Sequence, residues 1–174
     1  MPIAQKITPN LWFNNNAEEA VNFYVSVFSQ REGVSKNSQV EKISRYGKEG
    51  FEVHGQKEGT VLTIEFQLAG QLFVALNGGP DFKFNEAISF IINCEWQEEV
   101  DYYWEKLSEG GDEKAQVCGW LKDKFGVSWQ IVPTILPEML TDSDAEKSQR
   151  VMKEVFKMKK LDIATLERAC NGVL

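Results

Sequence analysis

The chain's 174 residues suffice for one ordinary domain or for two small repeated modules sharing a core. Hydrophobic residues make up 43% and charged residues 26%, a globular balance, and no apolar run reaches the length of a membrane span. A formal charge of −7 argues against a nucleic-acid backbone as partner, because phosphate binding needs a basic face.

Cys94, Cys118 and Cys170 are odd in number and widely spaced, so they read as free thiols in a reducing compartment. The N-terminal MPIAQKITPN has no signal-peptide core, and a cytoplasmic protein is expected.

Lys6 to Phe13 is predicted as a short strand ending in three asparagines. Asn16 is placed to cap a helix whose Ala17, Ala20, Val21, Tyr24, Val27 and Phe28 fall on one apolar face. A polar connector, Ser29 to Ser38, leads to a strand over Val40 to Tyr46 and then to an exposed loop, Gly47 to Gly59. Leu62 to Leu68 and Gln71 to Asn77 form a hairpin about Ala69-Gly70. Their nearly continuous apolar character predicts cover on both faces. A third apolar run, Ile88 to Asn93, follows the connector GGPDFKFNEA.

The order of elements then repeats. Gln97 to Leu107 is a predicted helix stopped by Gly110-Gly111, with Val100, Tyr103, Trp104 and Leu107 on one face. Val117 to Leu121 and Val127 to Val132 are strands joined by KDKFG, and Pro133 ends the second. Strand, helix and strands thus occur over residues 6–79 and again over 87–133. Asp144 to Met158 and Asp162 to Cys170 read as two further helices, with Met152, Val155, Phe156 and Leu166 as apolar contacts.

Much chemistry is excluded. His54 is the single histidine, which removes mechanisms needing two and most sites with several imidazole ligands. Its polar surroundings predict a solvated loop residue. Neither a dinucleotide nor a P-loop glycine pattern is present.

The stretches LWFNNNAEEAVNFYVSVF, FVALNGGPDFKFNEAISF and CGWLKDKFGVSWQIVP, in that order, resemble one known group. It is the PhnB-like proteins of the glyoxalase/bleomycin-resistance (vicinal oxygen chelate) superfamily, which carry the label 3-demethylubiquinone-9 3-methyltransferase. The resemblance implies an α+β fold of paired βαβββ modules, each curling a sheet around a cavity, usually in a homodimer. Residues 1–174 then form one domain, with modules over 6–79 and 87–133 and two extra C-terminal helices over 144–171.

Superfamily members with a metal place His, Gln or Glu at four strand positions. The resemblance puts these at Pro9, Val74, Ala87 and Gln130, and a shift of one residue brings in Asn10 or Glu86. Three of the four cannot ligate, since ligation needs a lone pair on N, O or S. No metal and no other cofactor is expected. Strand alternation from these positions puts Leu11, Phe13, Ser89, Ile91, Ser128 and Gln130 on the cavity side, with Trp129 and Ile131 toward the helices.

Those six residues are the candidate ligand contacts for a small organic molecule. The alternative for Ser89, Ser128 and Gln130 is that they hydrogen-bond one another or a buried water. Glu86 is the candidate catalytic base, or else a structural anchor, and Asn77 is expected to fix the Gly78-Gly79 turn. Three functions follow in order: metal-free binding of a small molecule, an enzyme using Glu86 and Gln130, and methyl transfer.

Overall fold

The computed structural model describes residues 5–30 and 37–173. The chain divides into two compact units between Lys83 and Phe84. The first unit runs β1 (Asn10–Phe13), α1 (Ala17–Ser29), β2 (Gln39–Arg45), α2 (Phe51–His54), β3 (Val61–Leu68) and β4 (Gln71–Asn77). Its sheet has the order β1-β4-β3-β2, with β1 parallel to β4 and the other pairs antiparallel.

Helix α1 forms where the apolar spacing predicted it, and Ala17, Ala20, Val21, Tyr24, Val27 and Phe28 are all buried. Its cap differs from expectation. Asn16 occupies the N-cap position but its side chain makes no capping bond; the Ala17 amide instead donates to Asn77 Oδ1 at 2.9 Å. Asn77 also donates to the Val61 carbonyl at 3.1 Å, so it ties α1 to the sheet rather than fixing the Gly78-Gly79 turn. The β3–β4 hairpin turns through Ala69 and Gly70, both at positive φ (48° and 82°), as a two-residue turn requires when its twist matches the strands.

Cover on both faces of this hairpin does not hold within the unit. Ile64, Phe66, Leu68, Phe73 and Ala75 are buried, while their alternating neighbours Glu65, Gln67, Leu72, Val74 and Leu76 are half-buried. Of two connecting segments, one cannot be compared with the reading of the sequence and the other departs from it. Residues 31–36 of the predicted polar connector lie outside the described residues. The predicted exposed loop contains α2, flanked by Gly50 and Gly55, and His54 ends that helix with its ring 4.4 Å from that of Tyr46.

The second unit runs β5 (Phe90–Cys94), α3 (Gln97–Ser108), a 3₁₀ turn at Glu113–Ala115, β6 (Trp120–Lys122), β7 (Ser128–Pro133), α4 (Leu136–Leu140), α5 (Ala145–Val155) and α6 (Ile163–Cys170). Its sheet is β5-β7-β6, with β5 parallel and β6 antiparallel to β7. The predicted strand over Val117 to Leu121 is shortened to Trp120–Lys122. Cys118 and Gly119 take positive φ (53° and 85°), so Val117 keeps only an isolated bridge to Trp120.

The β6–β7 turn is organised by Asp123, which is 3% exposed. Its Oδ1 accepts from the Phe125 and Val127 amides, and its Oδ2 accepts from Trp129 Nε1 at 2.8 Å. Trp129 is thereby fixed at 2% exposure on the same face as the buried Ile131.

The C-terminal helices begin as predicted, with Asp144 and Asp162 accepting from the amides of Glu146 and Thr165. A third helix, α4, precedes them. Leu136, Met139, Val151, Val155, Leu161, Leu166 and Ala169 form their shared core, against which Cys118, ahead of β6, and Val132 of β7 also pack. The buried stripe of α5 is Val151 and Val155; Met152 and Phe156 face outward, Phe156 at 70% exposure, contrary to the expected contacts.

Candidate functional site

The second sheet has a helix-covered face and an open one. On β7, Trp129 and Ile131 are buried while Gln130 and Val132 are half-buried. On β5, Ile92 and Cys94 are buried and Ile91 is 55% exposed. The ladder places Ile91 and Trp120 on either side of Gln130, and Lys122 across from Ser128. Directly paired residues share a face, so Ile91, Gln130, Trp120, Lys122 and Ser128 line one surface.

Gln130 is held in place at the middle of it. Its Nε2 donates to Ser89 Oγ at 2.9 Å. One amide hydrogen is thus used, and the amide oxygen remains directed away from that bond. Ser89 lies just ahead of β5, in a connector steadied by Asn85, whose Oδ1 accepts from the Ala87 amide at 2.9 Å. The predicted contacts Ser89, Ile91 and Gln130 are therefore brought together.

Ser128 is 2% exposed, and its hydroxyl has no hydrogen-bond partner. Leaving such a group unpaired costs about 1–3 kcal/mol. Glu86, the predicted base, forms an ion pair with Lys122. The hydrogen bond from Lys122, with its charge, lowers the Glu86 carboxyl below the usual range. A carboxylate so stabilised is a weaker base than a free one.

Leu11 and Phe13 are elsewhere. Both are buried, at 6% and 2%, and pair with Ala75 and Asn77, the latter bonded to the start of α1. Their side chains belong to the helix-covered face of the first sheet, opposite to the expected one. The parity was off by one because Pro9 only contributes a carbonyl to the Val74 amide, and β1 begins at Asn10, which pairs with Val74. Asn10 and Trp12 carry the open face of that strand instead.

Trp12 largely fills its surroundings. Its Nε1 donates to the Gly79 carbonyl at 2.9 Å, and Phe82 meets it edge-on at 4.8 Å between centroids. Gly78 lies against the indole so closely that a Cβ there would stand 2.2 Å from a ring carbon.

A divalent metal does not fit these residues. Of Pro9, Val74, Ala87 and Gln130 only Gln130 offers a donor, and Glu86 is engaged by Lys122. Among the described residues no group of three or more His, Cys, Asp or Glu side chains is arranged to hold a metal ion. A cleft of ≈ 540 Å³ does occur in this unit, lined by residues of α4 and α6 including Met139, Glu138, Glu167 and Cys170, and none of the predicted contacts borders it. Reading the sequence missed Trp120, Lys122 and Asp123; the signal for Lys122 was the KDKFG turn, which sets it opposite Ser128.

The family model described as 3-demethylubiquinone-9 3-methyltransferase matches residues 5–132. The PhnB protein of Bacillus cereus, whose description carries the same methyltransferase label, is 38% identical, with the match covering 74% of this chain and 99% of that one at a TM-score of 0.61. PA1353 of Pseudomonas aeruginosa is 19% identical over 75% of this chain and 98% of its own, at a TM-score of 0.52. The fosfomycin resistance protein FosX of Listeria monocytogenes is 16% identical over 80% and 99%, at a TM-score of 0.51. The last two are likenesses of fold alone. No curated protein matches the chain. Helices α4 to α6 lie beyond the stretch that the family model matches.

Proposed function

The chain belongs to the PhnB-like, 3-demethylubiquinone-9 3-methyltransferase family, with the glyoxalase/bleomycin-resistance fold, and from that premise we propose that it binds a small organic molecule on the open face of the second sheet, without a coordinated metal. The observation that carries this reading is the Gln130–Ser89 bond, which fixes one amide on a face it shares with Ile91 and Trp120. Ligand sites combine apolar lining with a few polar groups whose geometry is set in advance. A fixed amide beside an exposed isoleucine has that composition.

Gln130 then acts as a hydrogen-bonding anchor where a metal-using relative needs a ligand. Glu86 keeps Lys122 company and is given no role as a base. Methyl transfer is not assigned either. The strand-to-helix turns that lead into the two longest helices, Asn14-Asn15-Asn16 before α1 and Glu95-Trp96 before α3, are free of glycine, and neither offers the backbone cradle that S-adenosylmethionine chemistry ordinarily uses.

Native mass spectrometry of the full chain against a library of small aromatic and aliphatic molecules tests the reading. Binders are expected whose occupancy falls about tenfold or more in Gln130→Ala, with metal content by elemental analysis below stoichiometric. Retained binding in that variant, or binding that disappears when metal is removed by a chelator, would overturn it.

A further inference from the structure

The open face of the second sheet carries a cation whose present partner is a poor match for its place. Lys122 is on the ladder, and its side chain is only 22% exposed. Its counter-ion, Glu86, comes from the connector ahead of β5 and is 58% exposed. A carboxylate in that position is screened by water and holds its cation weakly. Directly across the ladder from Lys122 is Ser128, buried and with its hydroxyl unpartnered. Cross-strand partners have Cβ atoms about 4.5–5.5 Å apart, a separation that the long, flexible lysine side chain can span. The ammonium donates, and the hydroxyl can donate as well as accept. An oxyanion satisfies both at once, accepting a charge-assisted bond from one and a neutral bond from the other.

We propose that the ligand of this site carries an oxyanion group, such as a carboxylate, which displaces Glu86 from Lys122 and accepts a hydrogen bond from Ser128. This deepens the ligand-binding reading and rests on it. The remainder of the molecule lies along Ile91 and Trp120 with the Gln130 amide beside it. Glu86 acts as a stand-in that keeps the lysine neutralised while the site is empty and swings out on its connector when the ligand arrives. No bond is made or broken in the exchange.

The test is isothermal titration of the full chain at neutral pH with arylalkyl and alkyl carboxylates, each paired with its neutral amide, beginning with 4-phenylbutyrate and 4-phenylbutanamide. The acids are expected to bind at least tenfold tighter than the amides. Lys122→Met should bring the two within about twofold, and Ser128→Ala should weaken the acids several-fold while circular dichroism shows the fold kept. Glu86→Gln is the decisive variant. Removing the stand-in should tighten the acids about threefold or more and leave the amides unchanged, which a merely structural Glu86 would not do. Amides that bind as well as acids, or a Glu86→Gln variant with unchanged or weaker acid binding, would overturn the oxyanion assignment and leave the broader reading intact. Failure of acids and amides alike would overturn both.

Discussion

The two sheets, each in its own unit, follow the same pairing pattern and differ on their open faces. In each, a strand ahead of the helix runs parallel to the last strand of the sheet: Leu11 with Ala75 and Phe13 with Asn77 in the first, Ile92 with Ile131 and Cys94 with Pro133 in the second. The buried faces are alike in kind, because each must cover a helix. One step toward the open side, the pairs diverge: Asn10 faces Val74, whereas Ile91 faces Gln130. The first unit fills its face with Trp12, closed down on Gly78 and Phe82. The second leaves a fixed amide, an exposed isoleucine and an unpartnered serine. A duplicated architecture keeps the positions that fold it and is free to vary those that do not, and the variation falls on the face where the ligand site is proposed.

The largest test of that contrast is on the buried side. Trp129→Ala should cost about 3–5 kcal/mol in denaturant unfolding, since it empties a large buried volume and strips Asp123 of one of its bonds. A loss under 1 kcal/mol would show that Trp129 does not anchor the second sheet. Next, Asn77→Ala in the first unit removes a bond to the Ala17 amide and one to the Val61 carbonyl, both in buried surroundings. About 2–4 kcal/mol of stability should be lost with it. The second sheet has Pro133 at the matching position, so no equivalent substitution exists there, and only the first unit should respond. Gly78→Ala should cost about 1–3 kcal/mol by driving a methyl group into the Trp12 indole.

Open-face substitutions in the second unit should be mild by comparison. Gln130→Ala is expected to cost on the order of 1 kcal/mol, the net value of one hydrogen bond, while removing ligand binding. Stability loss as large as that of Asn77→Ala would make Gln130 a structural residue.

The smallest expected effect lies outside both sheets. Asp162 caps α6, and the Thr165 side-chain and backbone bonds lower its carboxyl below the ordinary range. A carboxyl lowered on folding contributes stability above its unfolded value, about 3.9, and loses that contribution as pH falls through this value toward the folded one. Helicity followed by circular dichroism should therefore decline as the pH falls below about 4 more steeply in the parent chain than in Asp162→Asn, whose cap cannot titrate.

What could be read in the sequence follows the same division. The buried face of α1 was legible residue by residue, because a helix that covers a sheet must repeat its apolar positions every three or four residues. The side of Ser89, Ile91 and Gln130 was legible from alternation in two strands long enough to show it. Leu11 and Phe13 were misplaced because β1 has only four residues, and its parity is set by pairing with β4, a partner more than sixty residues away, not by anything local. Asp123 and Asn77 were hidden for a related reason. Each is a polar residue in a turn-like context: the partners of Asn77 are far along the chain, and those of Asp123 are near in sequence but meet it only once the β6–β7 turn has closed. The Lys122–Glu86 pair belongs with them, since its 36-residue separation carries no periodic signal.

The most direct test of the central claim is a crystal structure of the full chain soaked with small organic molecules found to bind it. The account predicts density against Ile91 and Trp120, within hydrogen-bonding distance of the Gln130 amide, with Trp129 buried on the opposite side of β7. Density confined to the cleft of α4 and α6, or to the Trp12 face of the first sheet, with the Gln130–Ser89 bond untouched, would contradict it.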